Sequence, residues 1–457
     1  MVLIAAVQPF APALPAAWPG WAQQALASPS LLPEISHATG GAFHLLHPQT
    51  FAANLGAFQA VSARTGGTVY FAKKANKAAA WLTVCAERGA GVDAASVPEL
   101  REALRCGVPG QRVVVTGPAK SDELLLLACR AGALVAIDSL DELERAVALA
   151  DGEAALRVLF RVHPPRQPNS RFGMAVPERQ AALVRIGQFR GRIVLEGFSF
   201  HLSGYDIASR AELAGELIAE CLAARARGHR ADTISIGGGF PVRYVEAEDW
   251  ARFQSEFRPE QCHARKTFSD GFYPYHCDEP GARALEKILA HQADGAALEQ
   301  RLAAAGIALS VEPGRALLAD AGISVFPVQG FKWREAAPNE HAGGYGIATV
   351  AGTSLSLSEQ WFGSEFLPDP ALWPTTQHRQ ITPTCVGGAS CLDSDMLTWR
   401  KVPLPRPPKR GDFLIYPNTA GYQMDSNESS FHDLPIPPKA VVDFSGAEPR
   451  WSFEEKP

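Results

Sequence analysis

The feature that most constrains this chain is an alternation of short β-rich runs and helical runs that begins near residue 67 and recurs eight times. "TVYFAKKA" precedes "KAAAWLTVCAERG", "GVDAAS" precedes "VPELREALRCG", "RVVVTG" precedes "SDELLLLACRAG", and "LVAIDS" precedes "LDELERAVALA". "LRVLFRVHP", "IVLEGFSFHLS", "TISIGGGF" and "ALSVEPGR" supply the remaining β-rich runs. Parallel strands need a long crossover between them, and a helix is the usual one. Eight strand–helix units therefore predict an α/β chain built on a closed parallel (β/α)8 barrel, a TIM barrel, rather than an open sheet. Three Ser-x-x-Glu spacings, at Ser96, Ser139 and Ser209, read as capping boxes that open helices. Gly89, Gly107, Gly132 and Gly228 fall where those helices should stop.

The rhythm breaks after about residue 318. "ISVFPVQGF", "GIATVAG", "QITPTCVGG", "DFLIYPN" and "KAVVDFSG" are short β-like runs set among Pro and Gly. They predict a second, all-β domain over 318–457, and "GAFHLLHPQTF" in the N-terminal segment 1–50 reads as a strand that joins it. The barrel then occupies 51–317, interrupted near 250–280 by an aromatic-rich insertion placed over one barrel end.

Charge and cysteine usage narrow the function classes. The net charge is −5 with acids and bases interspersed, and no basic block appears, so nucleic acid is not an expected partner. No run reaches the roughly 20 apolar residues of a membrane span, so no membrane partner is expected. The apolar N-terminus lacks the positive region of a signal peptide, since the first Lys or Arg is Arg64. Eight scattered cysteines without ligand-like spacing suggest reduced thiols, a cytoplasmic protein and no metal site.

In a barrel of this kind chemistry gathers at the C-terminal ends of the strands. Those ends carry Lys74, Asp93, Asp138, Arg161, His201, the triplet Gly237-Gly238-Gly239, and Glu312 with Arg315. The glycine triplet offers backbone N–H groups to a phosphate, and Arg315 could add a charge-assisted contact. Lys73 and Lys74 end one strand, where neighbouring side chains face opposite ways, so one of the two faces the barrel interior. A buried amine beside a phosphorylated cofactor suggests a Schiff base.

The motifs "YFAKKAN", "GVDAASVPEL", "RVVVTGPAK", "FHLSG", "ISIGGGF", "VEPGRALLADAG", "GGASCLDSD" and "GDFLIYPNTAGYQM" occur in an order that resembles the fold-type III pyridoxal-phosphate decarboxylases. That family acts on diaminopimelate, ornithine, arginine and carboxynorspermidine, and its barrel is similar to that of alanine racemase. The resemblance runs from about residue 40 to 445. It implies the cofactor pyridoxal 5'-phosphate on Lys74, the lysine before Ala-Asn. It implies a network of Asp93 and Arg161 around the lysine and ring, His201 stacked on the pyridine face, and Glu312 paired with the pyridine nitrogen. Gly237, Gly238, Gly239, Arg315 and Tyr422 would grip the phosphate, with Ser203 near them. Cys391 would come from the second subunit of a head-to-tail homodimer and protonate the intermediate in a shared active site. The activity implied is decarboxylation of a small-molecule amino acid, basic or modified, through the Lys74 Schiff base. A racemase and a non-enzymatic pyridoxal-phosphate-binding protein are the alternatives. Three features depart from the family pattern: Leu392 follows Cys391 where enzymes of basic amino acids place an acid, Ser203-Gly204 stands where Gly-Ser is usual, and "SLSEQWFGSEFLPDPALW" stands where the diaminopimelate enzymes carry an arginine-proline motif that clamps a distal carboxylate. Asp393 and Asp395 are the remaining acids that could meet the substrate.

Overall fold

The computed structural model describes residues 10–150, 155–189, 191–293, 295–335, 343–359, 363–375, 380–446 and 448–454. The chain divides into two compact units. One comprises Phe51–Pro241 and Glu279–Leu317; the other comprises Met1–Thr50, Val242–Asp278 and Leu318–Glu454. Among the described residues no helix is long and apolar enough to cross a membrane.

In the first unit eight parallel strands pair in chain order: Tyr70–Ala72, Gly91–Ala94, Val113–Val115, Leu134–Ile137, Leu156–Arg161, Ile193–Ser199, Thr233–Ser235 and Ala308–Ser310. The last strand returns to the first through a parallel bridge between Val69 and Val311. The Tyr70 N–H donates to the Val311 carbonyl at 2.8 Å there, closing the ring. The barrel expected from the alternation is therefore the one observed. The strands are almost wholly buried because their short apolar runs have helices outside and side chains within. Helix Val97–Arg105 shows the local logic. Ser96 Oγ accepts the Glu99 N–H, Glu99 reaches back to the Ala95 N–H at 2.7 Å, and Leu100 and Ala103 face the core. The four expected stop glycines all adopt left-handed backbone, with φ of 61° at Gly89, 86° at Gly107, 70° at Gly132 and 86° at Gly228.

One expected cap is displaced. The helix assigned to Ser209 begins earlier, at Ile207, and Asp206 caps it by accepting the Ser209 N–H at 2.7 Å. Asp206 wins because its carboxylate also favours the positive end of the helix dipole.

The second unit is organised by one sheet. Strand Gly322–Arg334 pairs antiparallel with Phe43–Leu46, Tyr345–Val350 and Phe413–Pro417. Phe43–Leu46 also pairs in parallel with Lys439–Asp443, so the N-terminal segment sits inside this sheet. Trp21, Leu32, Ile35, Phe43, Ile323 and Ile415 form part of its core. Residues 242–278 belong to this unit. Cys262 bridges to Arg400, and the wholly buried Arg400 guanidinium is held by Glu365 at 2.8 Å and Asp369 at 3.1 Å.

Candidate active site

A cavity of about 330 Å³ opens among the C-terminal ends of the barrel strands. Its wall includes Lys74, Thr116, Arg161, Phe172, His201 and Glu312. The strand carrying Lys74 stops at Ala72, and Lys73–Ala75 form a single 3-10 turn, so the two lysines part by a turn rather than by strand alternation. Lys73 is 2 % exposed, with its Nζ 2.6 Å from Glu102 Oε2. Lys74, 53% exposed, reaches into the cavity, where its Nζ lies 3.4 Å from Asp93 Oδ2, so the buried amine expected from the sequence is Lys73 and not the lysine of the cavity. Asp93 is itself buried and accepts from Thr116 Oγ1 at 2.6 Å.

Glu312 follows the last strand. Its Oε1 accepts from Ser235 Oγ at 2.6 Å. Burial, then the nearby Asp93 charge, raise its pKa from 4.5 to about 7, against the opposing pull of Ser235, Lys74 and Arg161. His201 opens onto the cavity, and its Nδ1 accepts the Gly238 N–H at 3.2 Å. The protein packed around it, then the positive charges of Lys74, Arg161 and Arg210, lower its pKa, so the ring is neutral at ordinary pH.

Arg161 pairs with Asp138 at 3.2 Å and lies 4.1 Å from the Phe172 ring centroid. Burial raises the Asp138 pKa in spite of Arg161 and Lys120. Beneath it, the wholly buried Glu142 accepts the Asp138 N–H at 2.8 Å and the Lys120 ammonium at 2.9 Å. Arg161 is thus held from below by a chain of ion pairs and hydrogen bonds.

The glycine triplet packs tightly against this wall. Gly237 and Gly239 have φ of 67° and 79°, and a Cβ on Gly237 would lie 2.7 Å from His201 Nδ1 and from the Phe200 carbonyl. A Cβ on Gly238 would lie 2.8 Å from the Glu312 carbonyl. Only glycine fits here, for conformation and for space. Arg315 is buried, and Ser203 exchanges two hydrogen bonds with the Gln167 side chain, at 3.0 and 3.1 Å.

The other expected site residues lie in the sheet unit. Cys391 is exposed, with its Sγ 3.0 Å from His432 Nε2. His432 and Asp433 both adopt left-handed backbone, with φ of 61° and 56°, and Tyr422 does so with φ of 79°. Asp393 is exposed. Asp395 is buried, and its two oxygens accept the backbone N–H groups of Ser354 at 2.7 Å and Ser390 at 3.1 Å. Its carboxylate is thus tied to the chain's own backbone.

Sequence reasoning passed over Arg210, which is 1 % exposed. Its Nη2 donates to the carbonyls of Leu202 at 2.9 Å and Gly204 at 2.6 Å, and its Nη1 to that of Asp206 at 3.1 Å. Among the described residues its Nε has no hydrogen-bond partner, and its guanidinium presses on the Gly239 backbone where a Cβ would otherwise sit. This buried cation lies under the glycine turn. Ser235 and Thr116 were passed over as well; each sits at a strand end, where a hydroxyl gives little signal.

The residues present suit a phosphorylated aldehyde cofactor: an amine and a carboxyl on one cavity wall, with a glycine turn backed by a buried arginine. The comparisons agree. Residues 52–319 match the family model described as pyridoxal-dependent decarboxylase, pyridoxal binding domain. The chain belongs to the pyridoxal-dependent decarboxylases. Its cofactor is pyridoxal 5'-phosphate and it is a carboxy-lyase acting on amino acids. The chain is 37% identical over 413 residues, 88% of each chain, to the uncharacterized protein y4yA of Sinorhizobium fredii. It is 27% identical over 398 residues to a diaminopimelate decarboxylase of Actinosynnema pretiosum, covering 82% of this chain and 78% of that one. Among solved structures, the diaminopimelate decarboxylase from Helicobacter pylori complexed with L-lysine aligns with a TM-score of 0.69 at 16% identity. That alignment covers 93% of this chain and 97% of that one, and it shows a shared fold.

Proposed function

We propose that this decarboxylase attaches its cofactor to Lys74 and releases carbon dioxide from an amino acid, with Cys391 of a second subunit returning the proton. The observation that carries the reading is the separation of the two lysines: Lys73 is locked on Glu102, while Lys74 lies in the cavity beside Asp93. When bound, pyridoxal phosphate supplies an electron sink for the charge left as carbon dioxide departs.

The chain's own residues do the rest. Asp93 orients the Lys74 amine. Glu312, a carboxyl that keeps its proton to near neutrality, is the group we assign to the cofactor's ring nitrogen, since it shares that proton readily with a basic atom. Neutral His201 offers a flat uncharged face, pinned by the Gly238 N–H. Gly237, Gly238, Gly239 and Arg315 are assigned to the phosphate, with Tyr422 and Ser203 as the flanking contacts. Arg210 braces the 202–206 turn that carries Ser203 by drawing three of its carbonyls to one side, and its guanidinium packs against Gly239. The Cys391 sulfur lies within reach of the His432 imidazole, a pairing suited to proton transfer.

Borohydride reduction of the holoprotein followed by peptide mapping tests the attachment. Label on Lys74, lost in Lys74→Ala and kept in Lys73→Ala, is the expected result; label elsewhere refutes it. Shared sites are tested by mixing the inactive Lys74→Ala and Cys391→Ala proteins. Random pairing in a two-fold dimer restores about a quarter of full activity when each site draws on both subunits. No recovery refutes the second-subunit assignment.

A further inference from the structure

A second cavity, of about 270 Å³, lies within the sheet-bearing unit, and Ser390 and Leu392, the two neighbours of Cys391, form part of its wall. Its carboxylates are already engaged. Asp395 accepts two backbone N–H groups, and Glu365 accepts Arg400 Nε at 2.8 Å and the Trp399 N–H at 2.9 Å. Leu392, 49% exposed, and Phe431, 40% exposed, present apolar surface at this wall. Among the described residues the one cationic side chain in the wall is Lys266, whose Nζ stands 5.2 Å over the Trp399 ring. Among the described residues no carboxylate pairs with it.

We propose that this cavity receives the far end of the substrate side chain, and that this end carries a carboxylate rather than an ammonium group. The inference rests on the reading of Cys391 as proton donor, because the reacting carbon must then come to its thiol and the rest of the side chain must run past Leu392. An ammonium end would meet a leucine, two engaged carboxylates and the like charge of Lys266. Burying a cation without a counter-charge is costly. A carboxylate end would meet the Lys266 ammonium and the hydroxyls of Ser390 and Ser394, which are donors suited to an anion. The aromatic ring beneath Lys266 holds the ammonium at the wall without neutralising it.

The test uses full-length, cofactor-loaded protein and two probes of equal length and opposite charge, glutarate and cadaverine, followed by calorimetry. Glutarate should bind and cadaverine should not. Lys266→Ala and Lys266→Gln, the second keeping the stem over Trp399, should each weaken glutarate about tenfold or more, the size of a lost charge-assisted contact. Leu392→Asp should lower glutarate affinity and admit cadaverine. Tight cadaverine binding by the unaltered protein, or glutarate binding indifferent to both Lys266 variants, overturns the proposal. Turnover separates it from the reading it rests on. Faster carbon dioxide release from 2-aminoadipate than from lysine or ornithine, with KM raised in Lys266→Ala, supports both. Preference for lysine or ornithine overturns the carboxylate assignment and leaves decarboxylation standing. Lys266-dependent glutarate binding without carbon dioxide release from any amino acid removes the proposed reaction and keeps the anion-selective cavity.

Discussion

Replacing Glu312 with glutamine should make the cofactor-free protein more stable above neutral pH while sharply lowering the activity of the cofactor-loaded one. The reason lies in the carboxyl's surroundings. Burial and the Asp93 charge raise its pKa from 4.5 to about 7 in the folded chain. The folded state therefore binds this proton more tightly than the unfolded one. Stability falls as pH rises through the window from about 4.5 to about 7, and the deficit is fully present above it. At about 1.4 kcal/mol per pH unit, the shift corresponds to roughly 3 kcal/mol as an upper limit. Glu312 is partly reached by cavity water, which screens the charge and brings the expected penalty nearer 2 kcal/mol. Glutamine carries no charge at any pH, and its amide oxygen can still accept the Ser235 hydroxyl. The assay is urea unfolding of wild type and Glu312→Gln, both cofactor-free, at about pH 5 and about pH 8.5. Part of the penalty is already present at pH 5, so the variant's advantage should grow by about 1–1.5 kcal/mol between the two. Asp138 and Asp320 also have pKa values raised by burial, but they titrate in both proteins and cancel in the difference. A difference that stays flat with pH, or that favours wild type at high pH, would refute the account of Glu312. On the catalytic side the same substitution removes the acid assigned to the ring nitrogen, and carbon dioxide release should drop by about a hundredfold or more.

Arg210→Met should weaken cofactor retention by about tenfold to a hundredfold in equilibrium dialysis, because the loop it braces loses its cation and its three carbonyl contacts; unchanged affinity would count against the bracing role. Lys73→Met should leave borohydride labelling of Lys74 intact yet cost about 3 kcal/mol in unfolding experiments, since it leaves Glu102 without its 2.6 Å partner. Loss of labelling together with full stability would reverse the roles given to the two lysines. Gly237→Ala forces a Cβ to 2.7 Å from His201 and the Phe200 carbonyl at φ of 67°. It should lower cofactor affinity and destabilise by about 1–3 kcal/mol, read by dialysis and thermal unfolding.

What the sequence discloses about this molecule is what the chain settles locally. The barrel is legible because its strands are short apolar runs, several of them set off by a helix stop just before: Gly89, Gly107 and Gly132 end helices on their own account, whatever packs above them. The barrel rim is legible for the same reason, since Lys74, Asp93, Arg161, His201 and Glu312 each sit at or just beyond a strand end, and strand ends converge when the ring closes. Competition between local signals is where reading goes astray. Asp206 and Ser209 are both good caps, and which one serves depends on where the chain turns back from His201. Arg210 and Asp395 fail to show for a deeper reason. Arg210 is buried only because Gly239, far along the chain, yields it the space of a side chain. Asp395 looks like a group for a substrate until the Ser354 and Ser390 amides arrive at its two oxygens. An ionisable side chain declares its type in the sequence, but whether its charge is left over for a ligand depends on donors and acceptors brought in by folding. The count of engaged and unengaged charges at the two cavities, rather than the presence of charged residues, therefore bears on what this decarboxylase binds.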